Sequence, residues 1–142
     1  MQHVFVYGTL LFPEILEGLT GRSFQTHNAE LKNYKRMQVA EGDYPAVVEA
    51  EGEYVKGKLV MNVDARSAEV LRFYEGDDYD CKTLEITIDS KQVKASVFVW
   101  KQDVTLLADT DWSFNHFRQN FLNDYLKYVI PDTVAEFTKL FS

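Results

Sequence analysis

The sequence is poor in the residues that staple a chain or carry it through a membrane. It has one cysteine, Cys81, in 142 residues. No intrachain disulfide can form, which fits a reducing compartment. Basic residues are scarce: 15 Lys and Arg stand against 22 Asp and Glu, a net charge of −7. An acidic surface repels phosphate backbones and anionic headgroups, so neither nucleic acid nor membrane is expected as a partner. No apolar run approaches the length of a membrane span. The chain does not open with a basic segment followed by a long apolar stretch, the pattern of a signal peptide. His3, His27 and His116 lie far apart and have no ligand spacing, so no metal is expected. These absences together predict a soluble, cytoplasmic protein. With 46% apolar and 14% aromatic residues, the chain has the makings of a packed core, and its length suits a single domain over 1–142.

The stretch Val4-Phe5-Val6-Tyr7-Gly8-Thr9-Leu10 reads as a buried strand that ends in a glycine turn. Four apolar residues in a row suit a strand covered on both faces. Gly8 permits a tight bend and a close approach by another group. Pro13 then marks a helix start. A turn between strand and helix exposes unpaired N–H groups, which suit a carboxylate or phosphate. The same turn can equally serve only to redirect the chain.

Further along, a helix is predicted over 13–19, closed by Gly21, and an irregular strand over 27–41. A turn is expected at 42–45, a short strand at 46–49, a turn at Gly52 and a longer strand over 53–63. The longer strand alternates with one slip. A helix over 65–74 has Asp64 or Ser67 as its cap and Gly76 as its stop. Two alternating strands, 83–88 and 93–100, form a hairpin around 89–91. Phe98 and Trp100 oppose the small residues of their strand, so both faces are covered or line a pocket. Phe114, Phe117, Phe121, Tyr125 and Tyr128 make one helical stripe, ended by Pro131, and serve as core or as a dimer seam. A last short helix carries Val134, Phe137, Leu140 and Phe141. Many strands with few helices predict α+β with a small closed or half-closed sheet over about 1–106. A helical extension over about 107–142 packs on it.

One residue breaks the pattern. Ala68, Leu71 and Glu75 are three and four residues apart and share a helix face. Glu75 therefore takes a place where the periodicity asks for an apolar side chain. A buried carboxylate is costly unless it is paired or faces a ligand. Burial and the helix C-terminus both raise its pKa, and a carboxyl so tuned passes protons near neutral pH. The other reading has Glu75 at a fraying helix end, pointing to water. Tyr79, beyond Gly76, either reaches back to Glu75 through its hydroxyl or plugs the core. Cys81 reads as packing and Asp77 and Asp78 as a solvated loop.

Phe5-Val6-Tyr7-Gly8-Thr9-Leu10, Tyr44-Pro45-Ala46-Val47, Gly57-Lys58-Leu59-Val60 and Tyr74-Glu75-Gly76-Asp77-Asp78-Tyr79 occur in that order. Together they resemble the gamma-glutamylcyclotransferase-like family, in particular its gamma-glutamylamine cyclotransferase and avirulence-induced-like branch, over residues 3–100. The resemblance implies a small mixed β-barrel with flanking helices and a cavity at its mouth. It also implies that the α-amine of a gamma-glutamyl group closes onto its own γ-carbonyl, giving 5-oxoproline and a released amine or amino acid, with no cofactor or metal. On this mapping Glu75 is catalytic, and Tyr7, Gly8, Thr9, Leu10 and Tyr79 bind substrate. The implied partner is a small gamma-glutamyl molecule, and the expected state is a monomer or weak homodimer. Cys81 stands where the branch often has a basic residue, and Phe98 and Trp100 where tyrosines are frequent, which leaves the amine open. The rival function is a non-catalytic binding module for a small carboxylate or for a partner protein docked on the aromatic tail.

Overall fold

The structure is a computed structural model and describes residues 2–141. Its centre is a closed barrel of five strands: β1 (Gln2–Val6), β2 (Thr26–Gln38), β3 (Pro45–Val63), β4 (Tyr79–Ile88) and β5 (Lys91–Trp100), in the order β1-β3-β2-β4-β5. Every pairing is antiparallel except β1 with β5, where Val4 lies parallel to Ser96 and closes the ring. Five α-helical segments among the described residues lie outside: α1 (Pro13–Thr20), α2 (Ala65–Glu75), α3 (Phe114–Asn120), the short α4 (Leu122–Asp124) and α5 (Ile130–Phe141). The α+β expectation and the small mixed barrel both hold.

The alternation of β1 explains its apolar run. Phe5 and Tyr7 point into the barrel with Leu31, Val55, Leu59 and Val97. Val4 and Val6 point outward beneath the helices. β5 works the same way: Ala95, Val97 and Val99 fill the barrel, while Phe98 and Trp100 are buried outside it. Two apolar layers thus share the same strands, and each residue in the run buries area worth roughly 1.5–3 kcal/mol for a full side chain. The β4–β5 hairpin turns on Asp89 and Ser90, both with positive φ (48° and 69°). That backbone matches the twist of the flanking strands.

Three expectations are corrected. Gly52 does not turn the chain: β3 runs unbroken from Pro45 to Val63. Gly52 (φ 84°) and Asn33 (φ 67°) instead form a bulge across β2 and β3, and the Gly52 N–H donates to Asn33 Oδ1 at 3.1 Å. The extra twist of a bulge bends long strands round a small barrel. The slip in the alternation of β3 has a related cause at Asn62 (φ 53°), beyond which Val63 joins the outer layer.

Second, the aromatic stripe is not one helix. It breaks at Phe121 (φ −128°), resumes in α4 and passes through a π-helical turn over Tyr125–Val129. Phe117 is buried, but Tyr128 is 54% exposed, because the broken turn rotates it off the stripe. Third, Pro131 does not stop the helix; it is the second residue of α5. A proline there needs no N–H donor and would otherwise crowd the carbonyl four residues back. The wide turn before it, with Ile130 N–H bonded to Tyr125 O, gives the ring room. The tail is tied in firmly. Residues 106–110 bond to the end of β2, and Phe117, Ile130 and Phe137 join α1 and α2 in the outer core. No helix among the described residues is long and apolar enough to cross a membrane.

Candidate functional site

Glu75 is the last residue of α2. Asp64 caps the helix by accepting the Ser67 N–H at 3.2 Å. Gly76 stops it, donating its N–H to Arg72 O at 3.1 Å. With both ends fixed, the Ala68–Leu71–Glu75 face is directed inward. Leu71 is fully buried, and Glu75, one turn further, arrives at the seam between the barrel mouth and the helical layer. It is half-buried by area, because hollows open on both sides of it. No hydrogen bond or ion pair from the described residues reaches its carboxyl. Burial alone raises its pKa from 4.5 to about 8. The inward reading of Glu75 is the one the geometry supports.

The inner hollow measures about 20 Å³, room for about one water. It lies between Tyr7–Leu10, the Tyr44-Pro45 turn, Phe98 and Glu75. A Cβ on Gly8 would stand 2.6 Å from Pro45 Cγ and 2.8 Å from Pro45 Cδ, so only glycine lets the two segments approach this closely. Among the described residues, the N–H groups of Gly8, Thr9 and Leu10 meet no backbone acceptor. The outer hollow measures about 190 Å³. Thr9, Tyr44, Tyr74, Tyr79 and Tyr125 line it around Glu75, and Val129 and Thr133 complete its wall.

Each residue expected at the site has a definite place. Tyr7 is buried at the floor, and its hydroxyl donates to Phe98 O at 2.5 Å. Thr9 shares a 2.7 Å hydrogen bond with the Tyr74 hydroxyl. Leu10 turns its side chain into the outer core, so only its backbone bears on the inner hollow. Tyr79 lines the outer hollow, but its hydroxyl does not reach back to Glu75: it donates to Pro45 O at 2.8 Å. That bond holds the Tyr44-Pro45 turn against the start of β4. Burial pushes the Tyr74 and Tyr79 phenols well up, with a smaller contribution from Glu75 at Tyr74 and from Tyr7 and then Glu75 at Tyr79, so both stay protonated. A larger groove of about 900 Å³ runs along the other side of α2 past Arg72, Cys81 and Phe141. Glu75 does not line it. No group of three or more His, Cys, Asp or Glu among the described residues could hold a metal ion.

A strut braces the two segments that flank the inner hollow. Arg36 donates to Tyr7 O at 2.8 Å and pairs with both Asp111 oxygens at 2.7 and 3.1 Å. Its guanidinium lies 5.4 Å from the Trp112 ring centre, and Trp112 Nε1 donates to Asp43 O at 2.9 Å. The loop at residues 7–10 and the turn at 42–45 are thus joined through residues 111 and 112.

The family described as "Gamma-glutamyl cyclotransferase, AIG2-like" matches residues 4–114. The chain belongs to that family. Among Arabidopsis thaliana relatives it is 28% identical to AIG2-like protein D over 131 residues, covering 89% of this chain and 86% of that protein. It is 30% identical to Protein AIG2 C over 120 residues, covering 82% and 72%. A solution structure of an Arabidopsis thaliana protein superposes with a TM-score of 0.69 at 25% identity over 89% and 86% of the two chains. A structure described as gamma-glutamyl cyclotransferase superposes at 0.59 over 95% and 98%, at 14% identity, and shares the fold.

The AIG2-like match ends before Tyr125, Val129 and Thr133, which wall the outer hollow. Sequence reasoning did not assign Tyr44, Tyr74, Tyr125 or Arg36 to the site. Tyr44 and Tyr74 sit inside the quoted motifs, beside the residues that were assigned. Tyr125 was on the aromatic stripe read as core or seam. Nothing local distinguishes Arg36 from a solvated strand residue; its partners at 7 and 111 lie far off in sequence.

Proposed function

We propose that this AIG2-like protein is a gamma-glutamyl cyclotransferase that closes a gamma-glutamyl group to 5-oxoproline and releases the attached amine. One observation supports it above the others: a protonatable carboxyl, Glu75, without a hydrogen-bond or ion-pair partner among the described residues, between two hollows at a barrel mouth.

The chemistry needs one group that both takes and gives a proton. The substrate's α-ammonium must lose a proton before its nitrogen can attack the γ-carbonyl. A new C–N bond then forms, the attacking nitrogen gives up a second proton, the old amide C–N bond breaks, and the departing nitrogen takes up two protons and leaves as an ammonium. Glu75 in its ionised form accepts a proton from the attacking nitrogen and, once protonated, passes it to the departing one. A pKa near 8 suits both steps near neutral pH. The loop N–H groups at Gly8, Thr9 and Leu10 hold the substrate's α-carboxylate. A carboxylate is larger than the inner hollow, so seating it displaces the Tyr44-Pro45 turn outward. The outer hollow then receives the amine. Holding both ends of one glutamyl group makes ring closure a matter of positioning.

On this reading the protein works in the cytoplasm on a small molecule, as a monomer or weak homodimer. The test is a screen of gamma-glutamyl amines and dipeptides for free 5-oxoproline, with Glu75→Gln as control. Release by the wild type and its loss in the variant support the reading. Equal release by both, or no release from any substrate, sinks it. A ligand bound by calorimetry with no product favours the non-catalytic binding module instead.

A further inference from the structure

The outer hollow has a composition that the ring-closing step does not require. Four tyrosines line it, at positions 44, 74, 79 and 125, and neither lysine nor arginine does. Glu75 forms its base. Asp43 and Asp78 act on the same rings: after burial, the Asp43 charge is the largest influence raising the Tyr125 phenol, and the Asp78 charge the largest raising Tyr44. Arg36, which does reach the site, commits its guanidinium to Asp111 and to Tyr7 O. Nothing in this chamber can neutralise a second carboxylate on the substrate. An ammonium, by contrast, meets aromatic rings and acidic side chains, the two kinds of group that attract it.

We infer that the outer hollow is a cation-selecting subsite, and that the amine released by the enzyme carries a second, distal ammonium and no carboxylate. The class is an alkyl diamine or polyamine joined through one nitrogen to the γ-carboxyl of glutamate. This rests on the cyclotransferase reading for the substrate's identity, and on the cavity alone for the charge it takes. The wall contributed by the tail sets the preference. Tyr125 belongs to the π-helical turn beyond the segment that matches the family, and its ring is held by an edge contact with Phe117 at 4.8 Å.

Three gamma-glutamyl amides of equal length test this: those of diaminobutane, pentylamine and aminopentanoic acid, which end in an ammonium, a methyl and a carboxylate. The expected order of kcat/KM is ammonium, then methyl, then carboxylate, with about tenfold between the first two. Tyr125→Leu, checked for fold by circular dichroism, should bring the first two together, and Tyr125→Phe should keep them apart. Turnover with equal rates, or with the carboxylate preferred, overturns the subsite and leaves the cyclotransferase reading intact. Should no amide release 5-oxoproline, that reading fails, and calorimetry with free diaminobutane decides the subsite by itself. Binding to the full-length protein that weakens in Tyr125→Leu upholds it, and absence of binding to the wild type overturns it.

Discussion

The two hollows that meet at Glu75 are built on different plans. The inner one is small, about 20 Å³, and is made by backbone and by residues within the segments 5–10, 44–45, 75 and 98. The outer one is about 190 Å³, is walled by side chains, and draws part of its surface from residues 125–133. On the cyclotransferase reading, the difference separates two tasks. A feature common to all gamma-glutamyl groups, the α-carboxylate, would be matched by fixed amides whose position the barrel determines. The variable part, the departing amine, meets side chains that can change without moving a strand.

The comparison can be broken at three places. The shared residue should matter most: Glu75→Gln is expected to keep the fold and lower kcat for 5-oxoproline release by roughly 10²–10⁴, the usual worth of a general acid–base. Next comes the inner hollow. Gly8→Ala drives a methyl into Pro45, and steady-state kinetics should show kcat/KM down by about 10² for every substrate alike. Denaturant melts should show a loss of about 1–3 kcal/mol from overpacking. An unchanged KM in Gly8→Ala would mean that the loop does not hold substrate. The outer wall comes third: Tyr125→Leu should shrink the preference for the ammonium-ended over the methyl-ended amide by about tenfold.

The smallest effect is on stability. In the unfolded chain Glu75 ionises at its ordinary 4.5, whereas in the fold it keeps its proton up to about 8. The stability this gives is fully present below pH 4.5 and drains away as pH rises to about 8. Glu75→Gln has no such dependence. Its Tm should therefore gain on the wild type between those limits and hold a constant lead above them. In the same range, kcat/KM of the wild type should climb with an apparent pKa near 8 as the base form appears.

The parts of this site that could be read in the sequence are those made by near neighbours. Ala68, Leu71 and Glu75 declare a helix face by spacing, and Asp64 and Gly76 mark its ends. The apolar run at 4–7 announces a strand covered on both sides. What escaped reading depends on partners distant in the chain. Gly52 looks like a turn until Asn33 is seen opposite it across the sheet. Tyr79 looks able to reach Glu75 until Pro45, 34 residues earlier, is found to accept its proton. Pro131 looks like a helix stop because the wide turn that accommodates it has no compositional mark. Tyr125 and Tyr128 share a stripe on paper, yet the break at Phe121 and the turn that follows put one at the cavity and the other in water.

The turn at Tyr125–Val129 makes the tail's register adjustable. Rewinding the same residues as ordinary α-helix, with none removed, would swivel everything downstream by about 100°. Phe137 would leave its bed and Thr133 would face elsewhere, while the barrel and Glu75 stayed where they are. On the proposed reading, the winding of that one turn decides which side chains face the departing amine, independently of the barrel that carries Glu75.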